Sequence, residues 1–168
     1  MTEYVIRKAN REDCKEIMRL IQELADFEKM SDCVKIDAKR LEHDGFDTDN
    51  PPFECLVVED PENKSGEVSL IGYALYCMNY DTWEGKRYWL EDIMISNKYR
   101  GKGVGNKLFG ALCKEALKHD VVSMRYVVLN WNPAIHFYQK LGMVNITEKH
   151  GWQYSMIEHK DIIKGAEL

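Results

Sequence analysis

A chain of 168 residues, 45% hydrophobic and 30% charged, has the make-up of a globular protein large enough to bury roughly two-thirds of its unfolded surface. Its net charge of −5 argues against a nucleic-acid partner, since phosphate contacts need a basic face. The longest apolar runs, such as Tyr126 to Leu129, are far too short to span a membrane, and Met1-Thr2-Glu3 lacks the basic-then-apolar order of a signal peptide. Five cysteines without a Cys-x-x-Cys pair argue against a disulfide framework, and the five histidines show no metal-ligand spacing. The expectation is one domain over residues 1–168, cytoplasmic, with no metal.

In chain order, Tyr4 to Arg7 is expected as a short strand. Asn10 then caps a helix from about Arg11 to Phe27, with Asp13 completing a capping box and Ile17, Leu20, Ile21, Leu24 and Phe27 at helical spacing. Asp37 caps a second, shorter helix ending at Gly45. Asn50-Pro51-Pro52 stops local structure, so Phe53 to Val58 reads as a strand. After a turn over Pro61–Gly66, Val68 to Tyr80 reads as a long strand, Asp81 to Lys86 as a loop, and Tyr88 to Ile95 as a strand of aromatic and β-branched residues. A helix opens at about Gly103 and carries Leu108, Leu112, Ala116 and Leu117 on one face. Met124 to Leu129 follows as a strand, and Asn132-Pro133 starts a short helix that Gly142 closes. Strands over Met143–Thr147 and Trp152–His159 are expected to end the chain. The order β-α-α-β-β-β-α-β-α-β-β predicts an α+β (α/β) fold, a mixed and strongly twisted sheet of about seven strands flanked by about four helices.

The chemistry gathers around Arg100-Gly101-Lys102-Gly103-Val104-Gly105. Small residues at a helix start leave backbone N–H groups free beside the positive end of the helix dipole, and Lys98, Arg100, Lys102 and Lys107 surround them. That combination is an anion site suited to phosphate. A Walker loop fails at Asn106, and a dinucleotide fingerprint lacks its third glycine. Acidic residues precede this basic turn, from Glu42 to Glu62. They serve either as solvated surface or as an approach for a cationic substrate.

Arg-x-x-Gly-x-Gly after a strand resembles the pyrophosphate-binding signature of the GCN5-related N-acetyltransferases, which use acetyl-CoA. The likeness runs from Val5 to about Tyr154. Leu24-Ala25-Asp26-Phe27-Glu28-Lys29, Asp44-Gly45-Phe46, Tyr80-Asp81-Thr82-Trp83, Leu90-Glu91-Asp92, Trp131-Asn132, Phe137-Tyr138 and Gly151-Trp152 are similar to the spermidine/spermine acetyltransferases and their thialysine-acetylating relatives. Phe27-Glu28-Lys29, Thr82 and Leu129 look more like the thialysine branch, and Asp81 more like the polyamine branch, so the substrate stays divided between the two.

The resemblance implies direct acetyl transfer to a primary amine. An alkyl amine with pKa near 10.4 is neutral in only about one molecule in a thousand at pH 7.4, so a base is useful. Glu91 is the candidate base, or else an anchor for the ammonium. Strand alternation predicts that Glu91 and Asp92 face opposite sides. Tyr138 stands at the position of the family's general acid for the departing thiolate, or packs as an aromatic beside Phe137. The resemblance further implies that the main chain of Ile93, Met94 and Ile95, the turn from Arg100 through Gly101, Lys102, Gly103, Val104 and Gly105 to Asn106, and Asn132, Pro133 and Ala134 bind the cofactor. Phe27, Glu28, Asp81, Trp83 and Glu91 would line an acidic, aromatic groove for the amine. Cys55, Cys77 and Cys113 are expected to be packing residues. A homodimer is expected, with the final strands packing across its two-fold axis. Two alternatives are acetylation of protein or peptide lysines and a non-catalytic CoA-binding scaffold.

Overall fold

The computed structural model describes residues 3–65 and 69–168, so the expectations for Met1, Thr2, Gly66 and Val68 lie outside the described residues. The chain divides into two compact units, residues 1–129 and 130–168.

The first unit carries a sheet of β1 (Ile6–Lys8), β2 (Glu54–Glu59), β3 (Leu70–Asp81), β4 (Gly85–Ile95) and β5 (Ser123–Arg125), in that spatial order. The first four strands pair antiparallel and β4 pairs parallel with β5. The parallel step needs a crossover, which α3 (Val104–Lys118) supplies. Leu108, Leu112 and Ala116 of α3 pack with Leu56, Val58, Ala74, Tyr76, Tyr88, Leu90 and Ile95 on one face of the sheet. On the other face, Cys14, Ile17 and Leu20 of α1 (Cys14–Phe27) and Leu41 of α2 (Ala38–Phe46) pack with Cys55, Val57, Tyr73 and Met94. The two apolar stripes thus sandwich the sheet between helices. Cys14 and Cys55 are buried, Cys77 and Cys113 half-buried, and Cys33 exposed. Burial raises the Cys14 thiol to about 11.

The expected caps are present. Asp13 Oδ2 accepts from the Asn10 amide at 2.8 Å, and Asp37 accepts from the Arg40 amide. Asp13 is fully buried, and its two oxygens take a bidentate pair from Arg7 at 2.6 and 2.9 Å. It therefore ties β1 to the start of α1. Residues 11–13 form a 3-10 turn, so the α-helix proper begins three residues later than expected.

The second unit departs from expectation. It holds α4 (Ala134–Lys140), α5 (Ile146–His150) and α6 (His159–Gly165), and the sheet has five strands among the described residues rather than about seven. The cause at Met143–Thr147 is local. Asn145 turns its side-chain oxygen onto the amides of Thr147 and Glu148, capping α5, and Gly151 ends that helix at φ 72°. Such a side-chain bond competes directly with a strand ladder. Residues 151–158 form no ladder, although Trp152, Tyr154 and Met156 keep a strand's alternation. Likewise β5 is confined to Ser123–Arg125 instead of running to Leu129.

Removing the buried partner of the Arg7 pair should be costly. Asp13→Ala is expected to destabilise the fold by about 3 kcal/mol, read as a lower urea midpoint with an unchanged slope. A loss under about 1 kcal/mol would mean that the pair does not anchor β1.

Candidate active site

The site begins with an irregularity in β4. Ala74 faces Ile93 and Leu75 faces Asp92, but the next residue, Tyr76, faces Leu90. Glu91 is therefore an extra residue, a β-bulge. Tyr88 and Leu90 before it, and Ile93 and Ile95 after it, all join the core under α3. Keeping that face apolar on both sides of the bulge directs Glu91 and Asp92 together to the α1 face. Two contacts agree. Trp89 Nε1 donates to Glu91 Oε2 at 2.6 Å, and Tyr73, a residue of the α1-side core, donates its hydroxyl to Asp92 Oδ2 at 2.9 Å. The expectation that alternation sends the two carboxylates to opposite faces is corrected: the bulge cancels one step of the period.

Glu91 is exposed and Asp92 half-buried. Burial lifts the Asp92 carboxyl from 3.8 to about 6, the Tyr73 hydrogen bond opposes this, and the charges of Glu91 and Glu28 add to it. Asp92 lines a cavity of about 400 Å³ between the end of α1 and residues 30–36, together with Leu24, Glu28, Val34, Lys35 and Ile36. That volume suits a small molecule. Asp92 and Lys35 were not singled out as site residues by sequence. The signal for Lys35 was a lone cation between two apolar neighbours, which a surface segment shows equally well.

The β4–β5 ladder covers only Arg87–Trp89 and Ser123–Arg125. From Leu90 to Ile95, one edge of β4 therefore has no strand beside it among the described residues. Apart from the Ile95 carbonyl, which Arg100 takes, the amides and carbonyls on that edge are available to an extended ligand. This is where the main chain of Ile93, Met94 and Ile95 was expected to serve. The edge leads to the glycine turn. Gly101 and Gly103 adopt φ 74° and 82°, a region other residues enter at a cost, and a Cβ at either would meet nothing within 4 Å. Gly103 caps α3 without a side-chain hydrogen bond, so the first-turn amides at Val104, Gly105 and Asn106 remain available to an anion. Arg100 bonds its Nε to the Ile95 carbonyl at 2.8 Å and lays its guanidinium 4.7 Å from the Phe27 ring centroid. Lys102 and Lys107 flank the turn, each about 5 Å from a tyrosine ring. These features fit a coenzyme A pyrophosphate and pantetheine arm.

Of the remaining substrate candidates, Glu28 ends α1 and reaches the cavity, while Trp83 is 81% exposed on the β3–β4 hairpin. Asp81 is buried and engaged on both oxygens. Oδ2 meets Arg87 at 2.5 Å and Arg125 at 3.0 Å, and Oδ1 accepts from the amides of Trp83 and Glu84. The Trp83 amide is the largest cause holding its carboxyl below 3.8. A substrate amine reaching Asp81 would have to displace one of two arginines. In the second unit, Asn132 Oδ1 accepts from the Ala134 amide at 2.9 Å, just after Pro133, and Tyr138 is buried on α4 with its ring edge-on to Phe137.

Comparison with known proteins identifies the class. The family model described as Acetyltransferase (GNAT) family matches residues 16–143, and the chain belongs to that family. It is 43% identical over 151 residues to the thialysine N-epsilon-acetyltransferase of Mus musculus, covering 88% of each chain. It is 36% identical over 169 residues to the spermidine/spermine N(1)-acetyltransferase-like protein 1 of Homo sapiens, covering 99% of this chain and 24% of that longer protein. An integron cassette protein from the mobile metagenome of V. cholerae shares the fold with a TM-score of 0.74 at 19% identity, covering 100% of this chain and 99% of its own. The expected family is borne out. No helix of the described residues is long and apolar enough to cross a membrane.

Asp92 yields a pH test. The folded state holds its proton up to about pH 6, whereas the unfolded chain releases it near 3.8. Its contribution to stability is thus full below about 3.8 and is lost as pH rises through about 6. Asp92→Asn keeps the shape without the charge. Its stability relative to the parent should rise between pH 4 and pH 6 and level off at about 3 kcal/mol above that. Urea titrations at pH 4, 5, 6 and 7 measure this, and a pH-independent difference would contradict a desolvated carboxyl.

Proposed function

We propose that the protein is an acetyl-CoA-dependent N-acetyltransferase of small, cationic primary amines, either a thialysine-like amino acid or a polyamine, acting by direct transfer. The observation that carries this reading is the bulge at Glu91. It sets two carboxylates on the α1 face, Asp92 lining the cavity with Glu28 and Glu91 exposed beside it, on the same strand whose unpaired edge leads to a glycine-rich helix start. The relatives named for thialysine and for spermidine/spermine support the substrate class.

Arg100, Gly101, Lys102, Gly103, Val104, Gly105 and Asn106 would hold the pyrophosphate, and the β4 edge from Ile93 to Ile95 the pantetheine arm, with Asn132, Pro133 and Ala134 assisting. Acetyl-CoA supplies the acetyl group as an activated thioester. Glu28 and Asp92 attract the positively charged substrate. Glu91 takes the proton of the reacting ammonium, so that this amine is neutral when it attacks. An aligned main-chain N–H of β4 steadies the oxyanion. Tyr138 Oη then donates a proton to the departing thiolate, a phenol near 10 serving a thiol near 8.5. No enzyme-bound acyl group is required, and Cys14 and Cys55 in the core, their thiols pushed up by burial, are unsuited to form one.

The purified protein given acetyl-CoA should release free thiol with thialysine, spermidine or putrescine, and silence with all three would sink the proposal. Tyr138→Phe should lower kcat by about 100-fold or more while acetyl-CoA affinity changes only a few-fold. Equal losses in both would remove Tyr138 as the acid.

The chain also pairs with a second copy in this reading. Trp152 is 49% exposed, and Tyr154, Met156 and Ile157 are 71–80% exposed on an unladdered segment, a large apolar surface for a lone chain. Sedimentation should give twice the chain mass at micromolar concentration, and a monomer there would contradict it.

A further inference from the structure

The charge pattern of the cavity distinguishes between the two amines. Its charged side chains are Glu28, Asp92 and Lys35, and its remaining lining is mostly apolar. A polyamine tail carries ammonium groups only. Glu28 and Asp92 would welcome it, but Lys35 would repel it. An α-amino acid head group carries one ammonium and one carboxylate, matching two carboxylates and one lysine. Lys35 lines the cavity and, like several other lysines of the chain, makes no ion pair within 4 Å among the described residues, so no carboxylate of the protein already holds its ammonium. It is exposed on the segment between residues 33 and 37, so its ammonium approaches the cavity on a flexible stem.

We infer that Lys35 binds the α-carboxylate of an amino acid whose side chain ends in a primary amine, with Glu28 and Asp92 taking the α-ammonium, and that this pocket selects such amino acids over polyamines. The inference rests on the acetyltransferase reading above. The bulge supplies the link between the two ends of the substrate. Asp92 faces the head-group cavity while Glu91, its neighbour in sequence on the same face, meets the reacting amine. Lys35 touches no reacting atom and acts on specificity alone.

The test compares thialysine, thialysine carboxamide and the carboxyl-free diamine bis(2-aminoethyl) sulfide by thiol release from acetyl-CoA. The parent enzyme should favour thialysine over its carboxamide by about tenfold or more in kcat/KM, the scale of one charge-assisted hydrogen bond. Lys35→Met should bring that ratio close to one, and Lys35→Arg should retain most of it. Lys35→Glu should turn the preference toward the diamine. Circular dichroism confirms that the variants are folded, as expected at an exposed position. Equal use of acid and carboxamide by the parent, an equal loss on both substrates in Lys35→Met, or turnover of spermidine with thialysine inert would each overturn the inference while leaving acetyl transfer standing. Absence of thiol release with every amine would overturn the acetyltransferase reading and this inference together.

Discussion

The extra residue in β4 is the constraint on which the site depends. A regular strand of this sequence would have to choose between two arrangements. With alternation intact from Tyr88 and Leu90, Asp92 would enter the core under α3 and Ile93 and Ile95 would leave it. Reversing the phase would instead expose Tyr88 and Leu90. One inserted residue removes the conflict, because the period slips once at Glu91 and the apolar face resumes at Ile93. The cost is a broken ladder at a single position. The return is a continuous core on one face and two adjacent carboxylates on the other.

That slip coincides with the point where β4 and β5 part. Pairing stops at Trp89 and Arg125, and the bulge follows directly. A bulge bends and twists its strand, so a neighbour in register before it is poorly placed after it. The unpaired edge from Leu90 to Ile95 is thus a geometric companion of the carboxylate pair. Charge is then graded along the strand. Acid gathers at Glu91, Asp92 and Glu28, and the basic turn begins at Arg100 five residues after Ile95. Arg100 joins the two regions by bonding the Ile95 carbonyl and stacking on Phe27, whose helix carries Glu28. A net charge of −5 conceals this separation completely.

What was legible in the sequence was what the chain specifies locally. The Asn10–Asp13 box, the Asp37 cap and the helix start at Gly103 depend on residues within one turn of each other, and each was found where local chemistry placed it. The family and its glycine turn were legible for the same reason. The bulge was not, because register belongs to two strands at once and no feature of β4 alone marks Glu91 as surplus. Nor was the side on which Asp92 lies, which follows from that register. The final segment misled for the opposite reason. Trp152 to Met156 alternates as a strand should, but alternation specifies which side chains share a face and not whether a partner strand is present to complete the ladder.

Asp81 illustrates how a residue's chemistry can be read correctly and its setting missed. A carboxylate on a hairpin among aromatic residues is a reasonable host for an amine, and the fold supplies cationic partners of its own, one guanidinium from β4 and one from β5. Arg87 and Arg125 stand at opposite ends of the three-residue parallel ladder, Arg87 facing Ser123 and Arg125 facing Trp89. By holding both, together with the amides of Trp83 and Glu84, Asp81 clamps the hairpin to the stretch where β4 and β5 remain paired. The strands are free to diverge only beyond that clamp. A buried carboxylate with two arginines and two amide donors is satisfied, so it has little to gain from a third cation. The attraction for a substrate amine therefore falls to Glu91 and Asp92 on the α1 face of β4, with Glu28 beside Asp92 in the lining of the cavity.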